Sequence, residues 1–166
     1  MRSEEAVSQA IDRYADMVWR LCVVHLKNHA DAEDIFQTVF LKYALCKKSF
    51  ESDAHEKAWL IRVTINACRD LLGSFFKTRE VPLDEALQGQ CGLTMDNRYV
   101  LEAVLRLPEK YKNAVYLHYY EGYTAKEIGS ILHRKESAVY TLLHRARNML
   151  RAELEENHGK EDHTSL

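Results

Sequence analysis

Residues 123–150, YTAKEIGSILHRKESAVYTLLHRARNML, carry two helical patterns separated by a short break. Thr124 and Glu127 have the spacing of a capping box, in which the hydroxyl accepts from the Glu amide and the carboxylate reaches back to the Thr amide. Ile128, Ile131 and Leu132 form one apolar stripe, and Val139, Leu142, Leu143, Ala146, Met149 and Leu150 form another at 3.6-residue spacing. Neither stripe can be buried alone, so the two helices are expected to pack across the break as a helix-turn-helix. The outward face of the second helix then carries Tyr140, Thr141, His144, Arg145, Asn148 and, nearer the edge, Arg147. Arginines beside hydrogen-bonding groups suit phosphate and base-edge contacts in a DNA major groove. An ordinary helical hairpin with a solvated face is the alternative.

Working outward, the chain has 166 residues, room for one ordinary domain or two small ones. Its 23 basic and 25 acidic residues nearly cancel, so a polyanion-binding surface has to be made locally. Two segments do so. Arg134, Lys135, Arg145, Arg147 and Arg151 stand against Glu136 alone, and Lys57, Arg62, Arg69, Lys77 and Arg79 stand against Asp70 alone. Two basic segments on a neutral chain point to two contacts with one long polyanion.

With only Pro82, Pro108 and six glycines, and no sustained period-two alternation, an all-α fold follows. Helical spacing runs from about Ala6 to Leu26. Asp31 is a candidate N-cap for a helix through Tyr43, and a third helix runs from roughly His55 to Phe76. These three make one small bundle. From 77 to 95 the pattern fails, with Pro82, Gly89 and Gly92 and no long stripe, as in a flexible linker. Helical pattern resumes at Asp96, stops at Pro108, restarts through Tyr119 and passes Gly122. The expected organisation is two small helical domains, 1–77 and 96–157, joined by a linker at 78–95 and followed by a flexible tail at 158–166.

Cys22, Cys46, Cys68 and Cys91 are more than twenty residues apart without a CxxC pair, so reduced core thiols are expected rather than a disulfide frame or zinc site. His25 and His29 stand at i, i+4, with Glu33 one turn on, but LKN between them lacks the metalloprotease glutamate and no second cluster joins them. No metal and no cofactor are expected. Neither a Gly-rich phosphate loop nor a nucleophile elbow is visible, so an enzyme is not expected. A signal peptide and a run of eighteen apolar residues are both missing, which predicts a cytoplasmic protein with no membrane partner.

Four stretches carry a family resemblance: DAEDIFQTVFLKYA at 31–44, WLIRVTINACRD at 59–70, LPEKYKNAVYLHYYEGYTAKEI at 107–128 and LHRAR at 143–147. In order, spacing and length they resemble the small two-domain sigma factors of bacterial RNA polymerase, the extracytoplasmic-function (ECF) type. The resemblance covers about residues 10–76 and 97–154. It implies a promoter-specificity subunit whose first domain docks on core RNA polymerase through Asp31, Glu33, Asp34, Gln37, Phe40 and Leu41. It implies that Phe50, Asp53, His55, Arg62, Asn66 and Arg69 read the single strand of the minus-ten element. Aromatic and amide groups suit an unstacked base, which offers a π-face and a free Watson–Crick edge; Trp59 is expected in the core instead. It further implies that Lys135, Ser137, Tyr140, Thr141, His144, Arg145, Arg147 and Asn148 contact minus-thirty-five duplex. The implied partners are core polymerase, promoter DNA and, as in many relatives, an anti-sigma factor.

The chain departs from the family pattern in places. Thr38 stands where an acid is common, and His133 fills a turn position where glycine is frequent. Lys135 replaces a capping Ser or Thr, at a cost of about 1 kcal/mol to the helix start. Tyr140 and Leu142 occupy positions that are often basic, which predicts weaker and less salt-sensitive duplex binding. Two other readings explain part of the sequence. A stand-alone helix-turn-helix repressor or activator leaves 31–44 and 59–70 unexplained, and a sigma-like adaptor would bind polymerase or a regulator without reading a promoter.

Overall fold

A computed structural model describes residues 1–74 and 98–164. All regular structure among them is helical, and the chain divides into two compact units at Leu93–Thr94. The expected linker, 78–95, together with Pro82 and Cys91, lies outside the described residues, as do Phe75 and Phe76.

The first unit packs three helices against one another: α1 (Glu4–His25), α2 (His29–Leu45) and α3 (Asp53–Ser74). Ser3 caps α1, its hydroxyl accepting from the Ala6 amide at 3.2 Å. The start of α2 corrects the sequence reading. Asn28, not Asp31, is the N-cap, and its Oδ1 accepts from the Asp31 amide at 2.8 Å while its Nδ2 donates to Asp31 Oδ2 at 2.6 Å. Both residue types cap well, and Asn28 takes the role because it alone stands in extended conformation before the first turn. Asp31 inside that turn complements the helix dipole. His25 ends α1 and His29 begins α2, so the two imidazoles are not successive turns of one helix.

Val18, Leu21, Val39, Leu60 and Ile61 are essentially inaccessible and form the centre of the bundle; each buried side chain of this size contributes about 1.5–3 kcal/mol. Cys22 and Cys68 sit among them as free, fully buried thiols in contact. The hydrogen bond of the neutral thiol with Cys68, and then burial, hold the Cys22 thiol far above its ordinary range, so it stays protonated. Cys46 ends α2, half exposed. Leu72 is 47% exposed near the end of α3.

In the second unit α4 (Arg98–Arg106), α5 (Glu109–Val115) and α6 (Ala125–Leu132) all pack on the long α7 (Glu136–Thr164). Pro108 precedes α5 as its N-cap, where the missing amide costs nothing. At its end α5 widens into a π-helical turn, Tyr116–Tyr120, which the sequence pattern did not signal. Gly122 then turns the chain at φ 76°, a conformation glycine adopts freely. The backbone of α7 runs helical to Thr164, into the expected tail at 158–166. Polarity ends an apolar stripe but not a helix, and Ala152–Glu156 are strong helix formers without a proline.

Candidate nucleic-acid interface

The capping box opens α6 as the sequence spacing requires. The Thr124 hydroxyl accepts from the Glu127 amide at 3.2 Å, and Glu127 Oε1 accepts from the Thr124 amide at 3.2 Å. His133 closes α6 in the left-handed region, φ 55° and ψ 48°. The carbonyl of Gly129 accepts from the amides of His133 and Arg134, the latter at 2.9 Å. A left-handed residue with a Cβ costs about 1–2 kcal/mol. His133→Gly is therefore expected to stabilise the second unit by about 0.5–1 kcal/mol, after glycine's greater unfolded-state entropy is offset. Hydrogen exchange of the α6 and α7 amides checks this, and slower opening is the required result.

From this turn α7 starts at Glu136, with the Lys135 carbonyl accepting from the Val139 amide at 3.1 Å. Val139, Leu142, Leu143 and Ala146 are buried. At about 100° per residue, the opposite ridge carries Ser137, Thr141, His144 and Asn148, with Tyr140 and Arg147 along one edge and Arg145 along the other. All seven are exposed, as is Lys135. The Leu142 reading changes accordingly: this side chain faces the core, so no outward cation is lost there, whereas Tyr140 is 60% exposed. Along the ridge the Thr141 hydroxyl donates to the Ser137 carbonyl at 3.1 Å, and Asn148 Nδ2 donates to His144 Nε2 at 3.4 Å. Arg147 is held more tightly than sequence could tell. Its Nε donates to the Tyr119 hydroxyl, and its guanidinium lies 5.7 Å from the centre of the Tyr119 ring.

In the first unit the residues expected around the minus-ten strand gather on α3 and the loop before it. Ser52 Oγ accepts from the His55 amide at 3.1 Å, which starts α3 two residues ahead of the expected point. Phe50 is half-buried against Tyr43, parallel at 6.3 Å, and against Trp59 and His55 at 5.5 and 5.4 Å. Trp59 is half-buried in this aromatic cluster rather than enclosed in the core. Along α3, Arg62 and Asn66 are half-exposed and Arg69 is exposed. Arg69 donates to Asn66 Oδ1 at 2.9 Å, which leaves the Asn66 NH₂ facing away from that bond. Asp53, 82% exposed by its side chain, accepts from Arg13 at 2.9 Å.

The acidic face of α2 is present, with one change of membership. Glu33, Asp34 and Gln37 are exposed and Asp31 is half-exposed in its cap. Phe40, expected beside them, is 5% exposed and belongs to the core, because it follows Val39 and precedes Tyr43 on the buried side. Leu41, 60% exposed, and Leu45, 57% exposed, supply the apolar area on this face. Thr38 turns its hydroxyl onto the Asp34 carbonyl at 2.8 Å.

Sequence reasoning missed Glu56 and Arg2. Glu56 accepts from Tyr14 of α1 at 3.2 Å and from Tyr43 of α2, so one carboxylate of α3 joins all three helices. Arg2 reaches the end of α2 and the following loop, donating to the Tyr43 and Lys48 carbonyls.

No helix among the described residues is long and apolar enough to cross a membrane. Residues 10–74 match the family described as Sigma-70 region 2, and residues 97–150 match Sigma-70, region 4. The chain is 30% identical to the ECF RNA polymerase sigma factor SigW of Bacillus subtilis over 170 residues, 91% of this chain and 90% of the relative. It is 24% identical to SigX of the same organism, with 92% and 85% covered. Two solved structures share the fold. The sigma factor RpoE of Bartonella quintana, in complex with the anti-sigma factor NepR, superposes with a TM-score of 0.72 at 19% identity over 89% of this chain and 96% of that one. CnrH in complex with the cytosolic domain of CnrY gives 0.70 at 21% identity, over 93% and 90%.

Proposed function

This chain belongs to the ECF sigma factors of RNA polymerase, and from that premise we propose that its two units read the two elements of a promoter while the first also docks on the core enzyme. The polymerase supplies the chemistry; the chain supplies DNA reading and helps strand opening. The observation that carries the reading is the ridge of α7, polar along its crest with arginines on both flanks, on the second helix of a capped helix-turn-helix.

In this proposal Ser137, Tyr140, Thr141, His144 and Asn148 face base edges of the minus-thirty-five duplex, while Lys135, Arg145 and Arg147 contact phosphate. Phe50, Asp53, His55, Arg62, Asn66 and Arg69 meet the unstacked minus-ten strand. Glu33, Asp34, Gln37 and Leu41, with Asp31 behind them, dock on basic and apolar side chains of core polymerase. An anti-sigma factor is a further partner by analogy with the two complexes described above. The domain limits proposed are 1–77 and 96–157, joined through 78–95.

Run-off transcription with reconstituted holoenzyme across a genomic promoter library tests the proposal. A specific set of transcripts is expected, and none would leave only an adaptor. The division of labour on α7 has its own signature. Arg145→Ala should weaken holoenzyme binding alike across promoters and lower the salt slope by about one. Tyr140→Ala should change which bases are preferred. The reverse pattern would assign the two residues the opposite way round.

A further inference from the structure

The segment 46–52 that carries Phe50 has no helix or strand to hold it. Glu51 and Ser52 bond to His55 at the start of α3, and further fixed points come from the other end of the unit. The backbone amide of Arg2 donates to the Ala44 carbonyl at 2.9 Å, and its Nε donates to the Tyr43 carbonyl at 3.1 Å. Both carbonyls belong to the last turn of α2; that of Tyr43 also accepts from the Cys46 amide at 3.2 Å. Its Nη2 donates to the Lys48 carbonyl at 2.5 Å, inside the segment itself. The same guanidinium lies 4.5 Å from the centre of the Tyr43 ring and 4.9 Å from that of Phe50. One side chain therefore caps α2, ties the segment to it and stacks on the ring the segment presents. Trp59 and His55 close on Phe50 from α3.

We infer that Arg2 is a positioning residue for strand opening: it sets the segment 46–52 so that Phe50 stands ready to stack on a base leaving the duplex. The inference rests on the proposed role of Phe50 at the minus-ten strand. The chemistry needs arginine in particular. Its planar fork donates in two directions while its face stays on an aromatic ring, whereas a lysine ammonium offers a point charge without that plane.

The test uses the full chain in holoenzyme, on a duplex promoter carrying 2-aminopurine at the minus-ten bases that open. Arg2→Ala is expected to leave core-polymerase affinity and helix content as in the wild type, while open-complex formation falls about tenfold, the scale of one lost base–aromatic stack. Arg2→Lys should recover only part of the loss. Phe50→Ala should lower opening at least as far, and the double variant should open no worse than Phe50→Ala, because Arg2 acts through that ring. Wild-type opening by Arg2→Ala, full recovery by Arg2→Lys, or additive losses in the double variant would overturn the inference. If Phe50→Ala itself opens DNA normally, the minus-ten role of the segment falls as well, and the two failures are thereby told apart.

Discussion

Gly129→Ala should disable the second unit although alanine is the better helix former. A Cβ at residue 129 would stand 2.6 Å from the Arg134 carbonyl oxygen and 3.6 Å from the Glu136 amide nitrogen. Both are backbone atoms of the turn between α6 and α7, so neither can rotate away as a flexible side chain would. Helix propensity favours alanine by about 1 kcal/mol, while overpacking a fitted contact costs about 1–3 kcal/mol and more where backbone must move. The clash wins, and a net loss of about 2 kcal/mol is expected, or roughly 10 °C in a domain of this size. Function should suffer further, because the Gly129 carbonyl accepts the two amides that close the turn and so fixes the angle at which α7 presents its ridge. Both tryptophans, Trp19 and Trp59, lie in the first unit, so the melt followed by tryptophan fluorescence should match that of the wild type. Hydrogen exchange in α6 and α7 should accelerate, and minus-thirty-five duplex binding should fall. A variant that protects these amides as the wild type does would show that the turn can absorb a methyl group.

Gly129 also shows where sequence reading stops. Apolar periodicity and capping chemistry are local, so the capping box and the buried stripes of the helix-turn-helix were legible residue by residue, whereas the turn at His133 was marked only by the family pattern. A glycine inside a helix reads only as a weak helix former; that a carbonyl five residues on presses against it is a fact of packing. Phe40 failed for a related reason. It lies within the motif of a docking helix, but a 3.6-residue period places it with Val39 and Tyr43 on the buried side, and the motif match outweighed the period. Asn28 and Asp31 are both good caps three residues apart, and only the backbone at 28 decides between them. Arg2 could not be found at all, since its partners stand more than forty residues away. The outward placement of the polar residues on the ridge of α7 needed nothing beyond the period of that helix, and all of them are exposed.

Glu56→Ala should be the most damaging polar substitution in the first unit. The side chain of Glu56 is 14% exposed, lies 3.8 Å from Arg13 and accepts from the hydroxyls of Tyr14 and Tyr43. Its removal leaves the largely buried Tyr43 phenol short of an acceptor, at about 1–3 kcal/mol, while Tyr14 keeps the Asp53 carbonyl at 3.2 Å, so a loss of about 2 kcal/mol is expected. Glu56→Gln keeps an acceptor and should lose about half as much. The network also fixes an alkaline limit. Burial, and next the bond to Glu56, raise the Tyr43 phenol to about 12 from an ordinary 10.0, and burial raises Tyr14 in the same direction. The folded state thus favours the neutral phenols. Their contribution is full below the unfolded value of 10.0 and is lost as pH rises through about 12. Denaturant melts followed by tryptophan fluorescence at pH 8, 10 and 12 measure both effects, at pH values set by that window. Wild type should weaken steeply between the last two. Glu56→Ala should start lower and weaken less, because burial still raises the phenols but the carboxylate no longer does. Equal alkaline slopes in the two proteins would show that burial alone sets the limit and that Glu56 serves the bundle only as an acceptor.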